Sequence, residues 1–327
     1  MKLCFIVPNP AHMRYFAPII ELIRDVPDLE FFFYIIKYGT KYCSLLIDKN
    51  YNRVKEILSE LLPNPQIIML IDSASNFEWK GPKIECDVLF TVEFSYHNYF
   101  NFKKHISIQH GFDYIPLGKN KTSKTIYIAY NESYGLDAQK RHNIDYVIPP
   151  IPTAFSNMQR QIDFARNQVN TDKKIAFIFY PIKGLKKLVK SMVKYLKLND
   201  YFVIVKQRRK HQDIPSNIKA DISTYDEIWY PSESIFYPLI SDVVIGFGTA
   251  AYFDLAEVGL IFIDNATIEY VRKGGAYKKP NLMNFFYFEK NFYKNTIKII
   301  DQFAGTQKIK NVDLKIIKNF YLNLIFD

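Results

Sequence analysis

The chain has 327 residues, 48% of them hydrophobic and 23% charged, enough apolar material for roughly two ordinary domains and too much for a disordered chain. Lys and Arg number 43 against 33 Asp and Glu, a net charge of +10, which favours anionic partners: phosphorylated small molecules, nucleic acid or an acidic membrane face. Its 3 scattered cysteines do not make a disulfide framework or a cysteine-rich zinc site. Lys2 precedes only a short apolar run before Pro8, unlike a signal peptide, and no apolar stretch approaches the ~20 residues that span a bilayer. A cytoplasmic protein is expected. The 27 Phe and 24 Tyr are the bias an A+T-rich coding sequence produces, and no base-stacking surface is read from them.

Leu3 to Val7 is an apolar run ending at Pro8-Asn9-Pro10, the pattern of a buried strand entering a loop. Arg14 to Arg24 follows with Phe16, Ile19, Ile20 and Ile23 at helical spacing. Phe31 to Ile36 reads as a strand, and Ser44 to Leu62 as a helix stopped by Pro63-Asn64-Pro65. Gln66 to Ile71, Asp87 to Val92, His105 to Gln109 and Thr125 to Ala129 are further strands. Pro149-Pro150-Ile151-Pro152 breaks the rhythm before a polar helix at Asn157 to Asn167. The alternation then restarts with strand Lys174 to Tyr180, helix Lys186 to Leu196, strand Phe202 to Val205 and helix Ser234 to Ile240. Strand Val243 to Ile245, helix Ala250 to Val258 and strand Leu260 to Ile263 continue it. Two helices, about Asn295 to Phe303 and Leu314 to Ile325, close the chain.

Strands apolar throughout, alternating with amphipathic helices, belong in parallel sheets covered on both faces. The expected fold class is α/β, with two Rossmann-like domains, 1–152 and 153–327, facing each other across a cleft. The C-terminal helices are expected to pack back on the first domain. Ligands of such sheets bind beyond the carboxyl ends of the strands.

Four stretches at strand ends carry candidate chemistry. Gly246-Phe247-Gly248-Thr249-Ala250-Ala251 joins a strand to a helix, where glycines let the backbone approach a phosphate and the helix start offers free N–H groups. Steric need at a tight turn explains the glycines equally well. Asp254, one turn on, reads as a contact to a ribose or sugar hydroxyl, or as a simple complement to the helix dipole. In Gln109-His110-Gly111-Phe112-Asp113, an apolar strand delivers His110 to its carboxyl end, with Asp113 as a candidate orienting partner. An imidazole there can take a proton from an acceptor hydroxyl. Asn9 and His12, in the loop after the first strand, are candidates for the acceptor side, with a plain structural role for His12 the favoured alternative. Lys206, Arg208 and Arg209 sit at the end of another strand, where cations neutralise phosphates. The run Lys183, Lys186, Lys187 and Lys190 reads as a solvated helix face. His97, His105 and His142 carry less: no pair has metal-ligand spacing, and His142 reads as part of a charged loop.

At these residues the chain resembles a known group. Leu239 to Asp254 looks like the donor-site segment of two-Rossmann-domain (GT-B) transferases, and is most similar to that of bacterial CDP-glycerol glycerophosphotransferases and related capsule and teichoic-acid enzymes. Gln109-His110-Gly111 looks like their His-Gly motif. Asp264 through Glu269-Tyr270 to Gly274-Gly275-Ala276-Tyr277 resembles their acidic and glycine-tyrosine segment. The chain departs from the pattern at Phe112-Asp113, at Ala250 in place of a second hydroxyl, and in lacking a histidine at the Arg208-Arg209 position.

The resemblance implies that His110 is the general base and that Gly246, Gly248, Thr249 and Ala250 line the donor's phosphates. Lys206, Arg208 and Arg209 would neutralise the leaving diphosphate, with Asp254 or Glu269 on the ribose or transferred group. It implies no metal and no cofactor beyond a CMP/CDP- or UDP-activated donor. The acceptor is then a cell-surface or lipid-linked glycan, reached from the inner face of an anionic membrane, and nucleic acid is not a partner. Transfer of a sugar and transfer of a polyol phosphate both remain open. So do an epimerase or hydrolase of nucleotide sugars with the same architecture, a nucleic-acid-binding protein, and a related protein that binds without turnover.

Overall fold

The computed structural model describes residues 1–38, 44–72, 82–93, 97–110, 124–180, 186–207, 217–225, 229–246, 255, 262–264, 285–287, 309 and 311–327. The chain divides into two compact units, Met1–Asn157 with Val312–Asp327, and Met158–Asn311.

Unit 1 is built on seven strands, β1 (Lys2–Val7), β2 (Glu30–Tyr38), β3 (Gln66–Asp72), β4 (Ile84–Val92), β5 (Phe100–Ile108), β6 (Thr125–Ile128) and β7 (Asp145–Val147). All pair in parallel, in the order β3-β2-β1-β4-β5-β6-β7. Leu3 through Val7 is buried at every position because helices or loops cover both faces. On one face Phe5 stacks on Phe90 and Phe33, at 4.6 and 5.3 Å between centroids, and meets Phe16 edge-on at 5.3 Å. Phe16 belongs to α1 (Met13–Ile23), so the helix closes this aromatic layer. On the other face lie Cys4, Ile6, Tyr34, Leu89 and Tyr99. Much of the chain's aromatic content is therefore core.

Two elements of this unit do not stand out in the sequence. α3 (Glu132–His142) is mostly polar, with Tyr134 and Ala138 as its narrow apolar face; Asn131 caps its start by accepting the Tyr134 N–H and Asn143 ends it at φ 50°, in the left-handed region. His142, expected in a loop, is the last residue of this helix. Gly135 is required there: a Cβ would lie 2.1 Å from the Tyr146 ring of β7. The three-residue β7 is itself too short for its period to show.

The last helix, here α7 (Leu314–Phe326), packs on α1. Its Tyr321 hydroxyl, wholly buried, donates to Thr153 Oγ1 and meets Ser156 Oγ, each at 3.1 Å. Lys104 Nζ donates to the Leu324 carbonyl at 3.0 Å. The expected helix at Asn295 to Phe303 lies outside the described residues.

Unit 2 repeats the plan with β8 (Lys174–Phe179), β9 (Tyr201–Gln207), β10 (Ile222–Tyr225), β11 (Val243–Gly246), β12 (Phe262–Asp264) and β13 (Phe285–Tyr287), parallel in the order β10-β9-β8-β11-β12-β13. β10 and β13 were not anticipated. α5 (Lys186–Leu198) seals one face through Val189, Met192, Val193 and Leu196, with Lys190 exposed on its outer side. α6 (Glu233–Leu239) covers the other, with Tyr237 stacked on Phe177 at 6.1 Å and Phe236 against Phe164 of α4 (Met158–Gln168) at 5.0 Å. The expected helix at Ala250 to Val258 falls outside the described residues except at Leu255, which is buried.

Each sheet thus begins with the Rossmann order. From its first strand the chain winds outward to one edge, then crosses back to lay the fourth strand on the other side. The crossing opens a crevice at the carboxyl ends of β1 and β4 in unit 1, and of β8 and β11 in unit 2.

Candidate functional site

In unit 1 the crevice edge is formed by the loop after β1 and the residues after β5, the strand beside β4. Asn9 caps a single 3-10 turn, Pro10–His12, by accepting the Ala11 N–H at 2.9 Å, and its own carbonyl takes the His12 N–H at 3.0 Å. That turn feeds α1 and sets Arg14 and Tyr15 in its first turn. Pro18 has no N–H for the Arg14 carbonyl, so the helix starts with one ladder bond missing.

These residues meet His110. Arg14 Nη2 lies 3.1 Å from His110 Nδ1, and the Tyr15 hydroxyl lies 3.1 Å from the same nitrogen. Arg14 Nη2 also donates to the Tyr15 hydroxyl at 2.9 Å, and Tyr130 Oη stands 3.4 Å from it. The Tyr15 ring is edge-on to the imidazole, with centroids 5.6 Å apart, and the His12 ring is 5.7 Å away. Guanidinium only donates, so His110 Nδ1 must be the acceptor of the Arg14 bond and the ring proton of the neutral imidazole sits on Nε2. Burial, then the Arg14 charge, then His12 push the His110 pKa down to about 2. His12 is held down to about 3 by burial and by Arg14. Its Nδ1 is buried without a hydrogen-bond partner among the described residues. Of its predicted roles, the backbone bond of a helix start is present, and the ring also borders His110.

Behind this cluster Gln109 is buried, and its Oε1 accepts the Tyr130 N–H at 3.0 Å. A cavity of about 10 Å³ beside Tyr15, Gln109, Tyr130 and Thr153 has room for about one water. His105, further back on β5, is fully buried between Thr91 Oγ1 at 2.9 Å and Thr125 Oγ1 at 3.1 Å. Both ring nitrogens are thereby satisfied, and burial keeps the ring neutral by lowering its pKa well below the usual value. It ties three strands together.

In unit 2, Gly246 is the buried last residue of β11, at the crevice, paired with Asp264 of β12. Lys206 is the penultimate residue of β9 and only 4% exposed. Its ammonium stands 5.7 Å from the centre of the Phe179 ring and donates to the Gln207 carbonyl at 3.4 Å. The Tyr180 N–H fixes this edge by donating to the Lys206 carbonyl at 2.7 Å. The Tyr180 hydroxyl and Gln207 Oε1 are buried without hydrogen-bond partners among the described residues, and burial raises the Tyr180 pKa. Asp113, Arg208, Arg209, Gly248, Thr249, Ala250, Asp254 and Glu269 lie outside the described residues; among the described ones the structure ties Asn9 to His12 through the backbone and brings His12 and His110 together with the unpredicted Arg14 and Tyr15. Sequence order hid these two, since Arg14 is 96 residues from His110. The signal available was their place: the first turn after β1, at the point where the strand order reverses.

Among the described residues, no group of three or more His, Cys, Asp or Glu converges as a metal site, and no helix is long and apolar enough to cross a membrane.

No protein-family model matches the chain, and no curated protein matches it in sequence. In structure it is similar to a putative UDP-N-acetylglucosamine 2-epimerase from Listeria monocytogenes, with TM-score 0.60 at 10% identity over 99% of this chain and 95% of that one. The UDP-GlcNAc 2-epimerase from Neisseria meningitidis bound to UDP-GlcNAc gives 0.60 at 10% identity over 100% of both chains. The wall teichoic acid polymerase TagF gives 0.58 at 12% identity over 98% of this chain and 83% of that one. With two parallel sheets of Rossmann order and these neighbours, the chain has the GT-B fold.

Proposed function

We propose that this protein is a GT-B transferase that moves a sugar or polyol phosphate from a nucleotide-activated donor to a hydroxyl of a glycan or lipid-linked acceptor. The observation that carries the reading is the position of Gly246. It ends β11 at the crevice of unit 2, where a Rossmann sheet takes phosphates, and the glycine-containing Phe247-Gly248-Thr249 follows it in sequence. Lys206 lies at the end of β9, on the far side of β8 from Gly246, and Arg208, Arg209, Thr249, Ala250, Asp254 and Glu269 complete the donor side in this reading. On the other unit His110 is the imidazole that meets the acceptor, with His12 beside it, Asn9 in the turn that carries His12, and Asp113 following His110 in sequence. Fixed cations and N–H groups take the charge of the leaving phosphates without a divalent metal. The +10 charge suits phosphorylated substrates and peripheral binding to an anionic inner leaflet.

A second reading, a nucleotide-sugar 2-epimerase, is favoured by one observation: the Neisseria epimerase is covered end to end, whereas TagF is covered over 83% of its chain.

A thermal-shift screen against CDP, CMP, UDP, GDP and ADP tests the common part. Saturation at 100 times Kd stabilises the native state by about 2.7 kcal/mol, so one nucleotide diphosphate should raise Tm. No shift with any of them would remove the donor site. UDP-N-acetylglucosamine incubated without acceptor separates the two readings, because epimer formation under that condition selects the second.

A further inference from the structure

The base expected at His110 needs a lone pair on the nitrogen that faces the substrate. Histidines that serve as bases obtain it by donating their other N–H to a carboxylate or carbonyl, which fixes the proton on the far nitrogen. The contacts of His110 run the opposite way. Its Nδ1 lies 3.1 Å from a guanidinium nitrogen that has only protons to offer, and 3.1 Å from the Tyr15 hydroxyl. That hydroxyl accepts a second Arg14 bond, at 2.9 Å, and His110 Nδ1 and Tyr130 Oη are acceptors within reach of its own proton. The groups that meet the ring oppose a positive charge or are neutral: Arg14 and Tyr15 from α1 and His12 from the turn before it, with Tyr130 after β6 reaching the Tyr15 hydroxyl.

We infer that Arg14 and Tyr15 are positioning residues that hold His110 as its Nε2–H tautomer, so that the ring donates a hydrogen bond to a ligand oxygen instead of taking a proton from a hydroxyl. This rests on the reading that His110 meets the substrate, and sharpens it. The partner is an oxygen bearing negative charge, of the phosphoryl or carboxylate kind, because the Arg14 cation that disfavours an imidazolium favours an anion at the same place. The proton of an acceptor hydroxyl then leaves to another group, and His110 stabilises charge.

The full chain labelled with 15N-histidine answers this without any substrate. Long-range 1H–15N spectra distinguish a protonated ring nitrogen from a bare one, and His110→Gln identifies the His110 signals among the 6 histidines. The expected result is a protonated Nε2 and a bare Nδ1, unchanged from about pH 8 to about pH 5, the range in which an ordinary histidine titrates. In Arg14→Met, which leaves the burial of the ring in place, His110 should lose its single tautomer and populate both. A proton on Nδ1 in the wild type, or titration of His110 within the range, overturns the inference. So does an Arg14→Met spectrum in which His110 is unaltered. If Arg14→Met does not fold, Tyr15→Phe and the wild-type spectrum still decide the tautomer. The nucleotide screen is independent: its failure would remove the donor site and leave these spectra standing.

Discussion

Unit 1 should be acid-labile for a reason that can be calculated. His12 and His110 have folded pKa values of about 3 and about 2, against 6.5 for an unhindered ring. In the unfolded chain both rings take protons as pH falls below 6.5, whereas in the folded unit neither does. The unfolded state binds more protons, so stability falls as pH falls. Between pH 7 and pH 5 each ring costs about 2 kcal/mol, about 4 kcal/mol together, and His105 acts in the same direction because burial lowers its pKa too. That is a large part of the roughly 5–15 kcal/mol that holds a domain together. Hydrogen exchange of peptides from β1 and β5, with urea titration at pH 7, 6 and 5, reads the stability of unit 1 apart from unit 2. The double variant His12→Gln, His110→Gln should lose about 4 kcal/mol less than the wild type over the same interval. Equal pH dependence in the two proteins, or a wild-type unit 1 as stable at pH 5 as at pH 7, would refute the reasoning.

Three other outcomes are expected. Gly135→Ala drives a methyl into the Tyr146 ring and should cost about 1–3 kcal/mol by denaturant titration, with Tyr146→Ala in the same chain restoring part of it. Tyr321→Phe leaves the buried Thr153 and Ser156 hydroxyls without their common partner and should cost about 1–3 kcal/mol, read as faster exchange in α1 and α7. Once a turnover assay is in hand, His110→Ala should lower kcat by roughly 10²–10³-fold, as the loss of one charge-stabilising donor does. His110→Gln, which can donate but cannot serve as a base, should recover part of that loss; equal loss in the two variants argues for proton abstraction.

The long apolar runs at Leu3, Phe31, Lys174 and Val243 were legible as strands because parallel strands buried on both faces carry no polar interruptions. β7, β10 and β13 span 3, 4 and 3 residues, too few for alternation to show, and the apolar stripe of α3 is narrow, made by Tyr134 and Ala138 against Tyr127, Ala129 and Ile144. Of the site, His110 could be placed at a strand end from the apolar run before it. Its protonation could not, because that depends on Arg14, which reads in sequence as an ordinary polar position of a helix. Only the strand order, which puts β4 alone between β1 and β5, brings the two within bonding distance.

The way α7 ties back to Thr153 and Ser156 has a bearing on biosynthesis. Unit 2 lies within unit 1 in chain order, so a ribosome emits all of it before the residues that cover α1. Ile317, Tyr321, Leu324 and Ile325, all buried, follow unit 2 in the chain. Until they emerge, the nascent first unit presents an uncovered apolar flank for the whole time the second is being made, which is when a chaperone would be needed to shield it.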